Sequence, residues 1–431
     1  MAGMDAPLSQ RRTRVAAAWD LKDDVVLIGA GEAISVPGGA DQTYPFIAHS
    51  EYFWLTDRET PGGVLAFDPN DGWTDFVPAV SEAERVWEGR TDAPGTPLPE
   101  LAGWLAARRG RRLVALGVPL PGLPAEAARV AEVREALTHA RRPKDAVEMT
   151  RIRDAARATE AGFEAAVRSI RPGASERAIQ GELESAFFRA GGDRTAYGTI
   201  VGEGSNSGVL HFTPGARVVA AGDNVLIDAG AEIGRYCADV TRTYRAGSAD
   251  AGLFRDLYAV VLGVEERAVA RCVPGAEWRD VHLSAALEIA DGLVRIGLLR
   301  GDPATLLERD TVALFFPHGL GHMVGLGVRD ASGYLPGRAR STRPGLSMLR
   351  TDLPLEAGYV ITVEPGVYFI PALLRDPARR ALHRDAVAWS KVDALLDFGG
   401  IRIEDDVHVT AAAPENLTVA IPKDLDHAMI G

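Results

Sequence analysis

Two stretches of the chain share one layout. "RPGASERAIQGELESAFFRAG", from Arg171, and "VPGAEWRDVHLSAALEIADGLVRIG", from Val273, each follow a helical run with a Pro-Gly-Ala turn and a second helical run. Strand-like segments rich in Val, Ile, Thr and Tyr come after each. Pro-Gly after a helix is common punctuation, but here the likeness continues through the following helix. The expectation is a duplicated unit of two helices and two strands, its pseudo-symmetric halves enclosing a site. No other feature restricts the fold as much, because each half must bury its helices against its own strands.

At 431 residues the chain exceeds what one hydrophobic core usually serves, so a second domain is expected. The first part of the chain reads as short apolar runs between turn clusters. "DVVLIGAG", "YFWLT", "GGVLAFDP" and "RRLVALGV" look like strands, and "LPELAGWLAARRG" has helical spacing. The run "GAGEAI", Gly29 to Ile34, lacks the third glycine and the following helix of a dinucleotide loop. From Asp145 apolar residues recur at helical spacing for about 25 residues, so the boundary falls in the basic, Pro-containing "RRPKD". The expected class is α/β (α+β): a small N-terminal α/β domain over 1–142, then the duplicated domain over 143–431.

Net charge is −12, which argues against binding a phosphate backbone, a task that needs clustered cations. The two cysteines, Cys237 and Cys272, give neither a disulfide framework nor a thiolate metal site and fit a reducing compartment. No segment reaches the ~18 apolar residues of a membrane span, and the opening 24 residues contain no signal-like apolar run. A cytoplasmic protein without nucleic-acid or membrane partners is expected.

Carboxylates occur where strands should exclude them. "DNVLIDAGAEIGRYCADVTRTYRAG" alternates apolar and polar residues around a turn. A turn at Ile233-Gly234 would pair Glu232 with Arg235 and set Asp228 directly opposite Asp239. Two like charges that close repel, so something positive must lie between them. The alternative is that one caps a turn and the other pairs with Arg235 or Arg242. Glu364 ends the apolar strand "YVITVEPGVYF", and Glu404 sits in "GGIRIEDDVHV". Four such acids plus an imidazole suit Mn²⁺, Co²⁺ or Fe²⁺ at least as well as Zn²⁺. Two ions about 3.5–4 Å apart could share bridging carboxylates. The stretch "HGLGHMVGLGVRD" supplies His318 and His322, but its glycines disfavour a helix that would put both rings on one metal. Those glycines are expected to let the backbone pass close to a ligand.

The ordered set "LIDAG", "ADVTRTY", "HGLGH", "TVEPG" and "RIEDD" resembles the pita-bread metallopeptidases, the group of methionine aminopeptidase, aminopeptidase P and prolidase. The N-terminal domain resembles the smaller domain of aminopeptidase P and prolidase. The resemblance implies two divalent metal ions, with Mn²⁺ expected and Co²⁺, Zn²⁺ or Fe²⁺ as alternatives. It implies as ligands Asp228, Asp239, His322, Glu364 and Glu404, with Asp239 and Glu404 bridging and Glu364 also a proton shuttle. His318 would hydrogen-bond substrate or the tetrahedral intermediate, His211 would stand on the substrate side, and Tyr197 beside the site.

The long connection between Glu364 and Glu404 and the run "RPGLSMLRTDLPLEAGYVITVEPG" are similar to prolidases, which place an arginine for the dipeptide's C-terminal carboxylate where this chain has Arg350. A guanidinium fork accepts a carboxylate bidentately. In one place the chain departs from the family: "VRD" puts Arg329 where the relatives usually have histidine. An arginine there could still stabilise an anionic intermediate. The expected activity is hydrolysis of the Xaa-Pro bond, chiefly in dipeptides, by a homodimer. The alternatives are an Xaa-Pro aminopeptidase or broader aminopeptidase acting on longer peptides and, from another class, a non-catalytic binding module of the same fold. Binding modules of that kind have lost metal ligands, whereas all five positions are filled here.

Overall fold

The computed structural model describes residues 5–122, 126–247 and 251–430. The chain forms two compact units, the first ending at Arg141 and the second beginning at Arg142. In the first, a five-stranded sheet runs in the spatial order Thr96–Pro97, Gly72–Val77, Val64–Asp68, Val25–Gly29, Leu113–Gly117. Val25–Gly29 is buried throughout and pairs antiparallel with one neighbour and parallel with the other. The run "YFWLT" is not a strand: it belongs to the helix Ser50–Thr56, capped by the His49 ring, whose Nδ1 accepts the Glu51 N–H at 3.2 Å. Glu51 to Thr56 are all buried. A short helix buried on every side has no polar face, so its apolar run reads equally well as a buried strand.

The second unit is built from two helix pairs with their strands. Helix α1 (Ala146–Ser169) starts at an Asp145–Glu148 capping box, and α2 (Glu176–Arg189) starts at a Ser175 cap. They cover the antiparallel strands β1 (Ile200–Glu203), β2 (Asn224–Ala229) and β3 (Val240–Ala246). Phe163, Ile179, Leu183 and Phe187 of the helices pack with Val225, Ile227, Val240 and Tyr244 of the strands. The second pair is α3 (Gly252–Ala270) and α4 (Trp278–Ile296), with β4 (Val360–Val363), β5 (Gly366–Tyr368), β6 (Gly400–Arg402) and β7 (Asp405–His408). Its core joins Leu257, Val261, Ile289 and Leu293 to Ile361, Val363, Ile401 and Val407. The two helix pairs thus serve separate cores. The halves meet where Glu404 N donates to Thr241 O at 3.0 Å and Arg402 N donates to Thr243 Oγ1 at 3.1 Å.

The hairpin register differs from the one read off the sequence. The turn is Gly234-Arg235, both with positive φ (54° and 74°), the geometry of a type I′ hairpin turn. Ile233 therefore pairs with Tyr236, and Asp228 faces Thr241 rather than Asp239. The partner has moved by two positions, so the period-2 alternation keeps both aspartates on one face. They are diagonal neighbours, which lessens the repulsion that direct opposition would impose.

Candidate metal centre and its cavity

Alternation along the strands aims the acids. Val225, Ile227 and Ala229 of β2 enter the first core, so Asp228 points to the other face; on β3, Val240 and Tyr244 do the same and free Thr241 and Thr243. On β4, Ile361 and Val363 enter the second core, which turns Thr362 and Glu364 the opposite way. The histidine stretch lies extended beside β4. Glu364 N donates to Leu320 O at 2.8 Å, Thr362 N to His322 O at 2.9 Å, and Val324 N to Val360 O at 3.1 Å. A Cβ on Gly321 would lie 1.9 Å from Thr362 O. This glycine therefore makes a close approach to the neighbouring strand, and it also lines the cavity together with Gly319. In extended chain, four residues span about 13 Å, too far for His318 and His322 to share one ion.

Asp239, His322 and Glu404 bring ligand atoms within 4.8 Å of one another, all three buried. His322 Nε2 is 3.3 Å from Asp239 Oδ2 and 3.7 Å from Glu364 Oε1. Its Nδ1 lies 3.0 Å from the Met323 carbonyl, which only accepts, so Nδ1 carries a proton and Nε2 is the nitrogen turned to the acids, where it donates to Asp239 or, with an ion bound, would give its lone pair. Asp228 accepts from the Tyr197 hydroxyl at 2.6 Å on one oxygen and from Arg402 Nη2 at 2.6 Å on the other. Glu404 accepts from Thr241 Oγ1 at 2.6 Å.

Burial pushes the Glu404 carboxyl well above its ordinary range, and Asp239, Glu364 and Asp228 add to the shift. Asp228 is raised by burial and by Asp239, and Glu364 by burial. Only Asp239 falls: burial alone would raise it, but the bond to His322 outweighs that. Three buried carboxylates and the half-buried Glu364 thus converge, with Arg402 as the one arginine or lysine bonded to any of them among the described residues. Such a donor set, oxygen-rich with one imidazole, fits divalent cations, whose charge would relieve the crowding.

The remaining sequence-derived residues line the same cavity of about 910 Å³: Tyr197, His211, His318, Arg329 and Arg350 join the four acids and His322 there. His318 has both nitrogens engaged, Nδ1 with Gly319 O at 2.9 Å and Nε2 with the Tyr368 hydroxyl at 2.9 Å. Burial lowers its pKa to about 3, so the ring is neutral and Nε2 accepts from Tyr368.

Three residues of the site escaped the sequence reading. Arg402 bonds Asp228, the Tyr368 hydroxyl at 2.8 Å and Thr241 Oγ1 at 3.0 Å. Tyr368 connects Arg402 to His318. Asp406 Oδ2 accepts the Asp239 N–H at 2.9 Å and holds the backbone of that candidate ligand. A signal for Arg402 was present: it stands two residues before Glu404, and strand alternation puts both on one face.

Residues 150–411 match metallopeptidase family M24, and residues 8–95 match the aminopeptidase P N-terminal domain. An Xaa-Pro dipeptidase of Stenotrophomonas maltophilia is 32% identical over 422 residues, covering 90% of this chain and 92% of the relative. A probable Xaa-Pro aminopeptidase of Tuber melanosporum is 29% identical over 418 residues, covering 94% and 91%. Among solved structures, proline aminopeptidase P II from Yersinia pestis superposes with a TM-score of 0.80 at 27% identity, over 99% of this chain and 98% of that one.

Proposed function

The chain belongs to metallopeptidase family M24, and from that premise we propose that it is an Xaa-Pro peptidase acting chiefly on dipeptides. The observation that carries the proposal is the convergence of Asp228, Asp239, His322, Glu364 and Glu404 on one cavity that Arg350 also lines. In the proposal these five residues would hold two divalent ions, Mn²⁺ being the ion assigned. Bound there, the ions would supply Lewis acidity, lowering the pKa of a water and polarising the scissile carbonyl.

The chain's own groups do the rest. Glu364 takes the proton of the attacking water and delivers it to the departing proline nitrogen, a role its burial favours because burial helps a carboxyl hold a proton. His211, on the open side of the cavity, donates to the oxygen on which charge develops. His318 serves through Tyr368: as a neutral acceptor it orients that hydroxyl, which Arg402 polarises from the other side. Tyr197 holds Asp228. Arg350 receives the dipeptide's carboxylate.

The test is a substrate panel assayed with and without added Mn²⁺. Metal-dependent cleavage of Xaa-Pro, far faster than of Xaa-Pro-Yaa or non-prolyl dipeptides, is the expected outcome. Equal or faster cleavage of Xaa-Pro-Yaa would select the aminopeptidase reading, which the similarity to the Tuber melanosporum protein favours. The proposal places the enzyme in the cytoplasm as a homodimer, which sedimentation would test. Its two cysteines are unpaired and buried, and no helix among the described residues is long and apolar enough to cross a membrane.

A further inference from the structure

Arg329 and Arg350 are unlike the other charged groups of the cavity. Arg402 is tied to Asp228 and Tyr368, whereas neither Arg329 nor Arg350 has a hydrogen bond or ion pair to any described residue. Arg350 is half-buried and Arg329 is exposed at the rim. An unpaired arginine on an open surface is unremarkable, since water serves it. These two, however, line one cavity, and Arg350 feels the charge of Arg329. The Arg350 guanidinium is weakened first by burial and next by Arg329, and both arginines act on His211 and on the acids Glu364 or Asp239.

Charge sharpens the point. Asp228, Asp239, Glu364 and Glu404 bring up to four negative charges, which two divalent ions would cancel. The loaded cavity then keeps three permanent positive charges: Arg402 is bonded to Asp228, and the other carboxylate of the lining, Glu184, accepts from Gln180, so neither Arg329 nor Arg350 is met by a protein anion. A histidine at position 329 would titrate near neutrality and lose its charge above it; a guanidinium keeps its charge and donates only.

Resting on the peptidase reading above, we infer that Arg329 and Arg350 together form a two-guanidinium seat for a carboxylate on the leaving side of the scissile bond. Arg329 is then a specificity-determining residue particular to this chain. The free C-terminal carboxylate, more than the proline ring, selects the substrate. Peptides whose carboxylate is capped as an amide, or displaced by a further residue, leave the two cations unmet.

The test measures binding and turnover separately. By calorimetry, the metal-loaded protein should bind L-proline about 10- to 100-fold tighter than L-prolinamide, the range expected for losing a charged hydrogen-bond partner. Arg329→Gln should remove about tenfold of that preference by weakening proline alone, and Arg329→His should restore it at pH 6 but not at pH 8. The ratio of kcat/KM for Xaa-Pro over Xaa-Pro-amide should fall in parallel. Equal effects of Arg329→Gln on acid and amide, or no effect on either, would overturn the seat. If no Xaa-Pro substrate is turned over while the Arg329-dependent preference for proline persists, the peptidase reading fails and the seat stands.

Discussion

Arg402 shows how much one side chain contributes to the centre. Its guanidinium reaches Asp228, Thr241 and Tyr368 at once, so it orients a ligand, steadies the threonine that holds Glu404, and polarises the hydroxyl facing His318. Groups behind metal ligands commonly contribute 10- to 100-fold to affinity or activity. Arg402→Ala is expected to lower metal affinity or kcat/KM by about that range, read by metal titration and steady-state kinetics. Glu364→Gln is expected to reduce kcat by roughly 100- to 10,000-fold with metal still bound; substantial turnover in that variant would remove Glu364 from the proton path. The acids of the centre were legible as residues that strands ordinarily exclude. Arg402 was legible only as a side chain on the Glu404 face; its partners were not, because they become visible only when two halves distant in sequence are brought together.

The elements carry their own lesson about legibility. The long helix from Ala146 was readable because one face is apolar and Asp145 and Glu148 announce its start. The helix Ser50–Thr56 was not, because total burial erased its periodicity. The hairpin turn was displaced by one residue because Gly234 can occupy either turn position, and what settles it is Arg235 adopting positive φ. Helix α4 (Trp278–Ile296) carries a titratable group of a different kind. His282 is buried on it, with Nε2 2.7 Å from Gly345 O and its ring against Phe316 at 5.5 Å, and burial lowers its pKa to about 4. The unfolded chain therefore binds more protons there between pH 6.5 and 4, so this contribution is whole above pH 6.5 and is lost as pH falls. By pH 5 the loss is about 2 kcal/mol. Denaturant unfolding at pH 7.5 and 5 should show His282→Gln, which keeps a donor and does not titrate, losing less stability than the parent by about that amount.

For the whole molecule, the repeated helix-turn-helix layout was enough to foresee two halves with separate cores. It was not enough to foresee how they join, which depends on hydrogen bonds between Thr241–Thr243 and Arg402–Glu404. That seam is braced from below: Arg242 donates to Glu404 O at 2.7 Å and pairs with Asp405 at 2.7 Å, and Asp405 is shared with Lys423 at 2.5 Å. Since the ions would bind the folded state alone, a chelator should lower the thermal midpoint. At free ion 100-fold above Kd the lost stabilisation is about 2.7 kcal/mol per site; a midpoint indifferent to chelator and to re-added Mn²⁺ would contradict a metal centre at this position.

Asp228 and Asp239 come from the first half, and His322, Glu364 and Glu404 from the second. Neither half owns all five of the proposed ligands. Halves that close out of step would present a knot of mutually repelling carboxylates instead of a chelate. On the proposed ligand set, ion stoichiometry would be a census of assembly: set against the two ions of a full site, the tightly held ions per chain give the fraction of molecules whose halves have closed in register, whether or not a substrate is known.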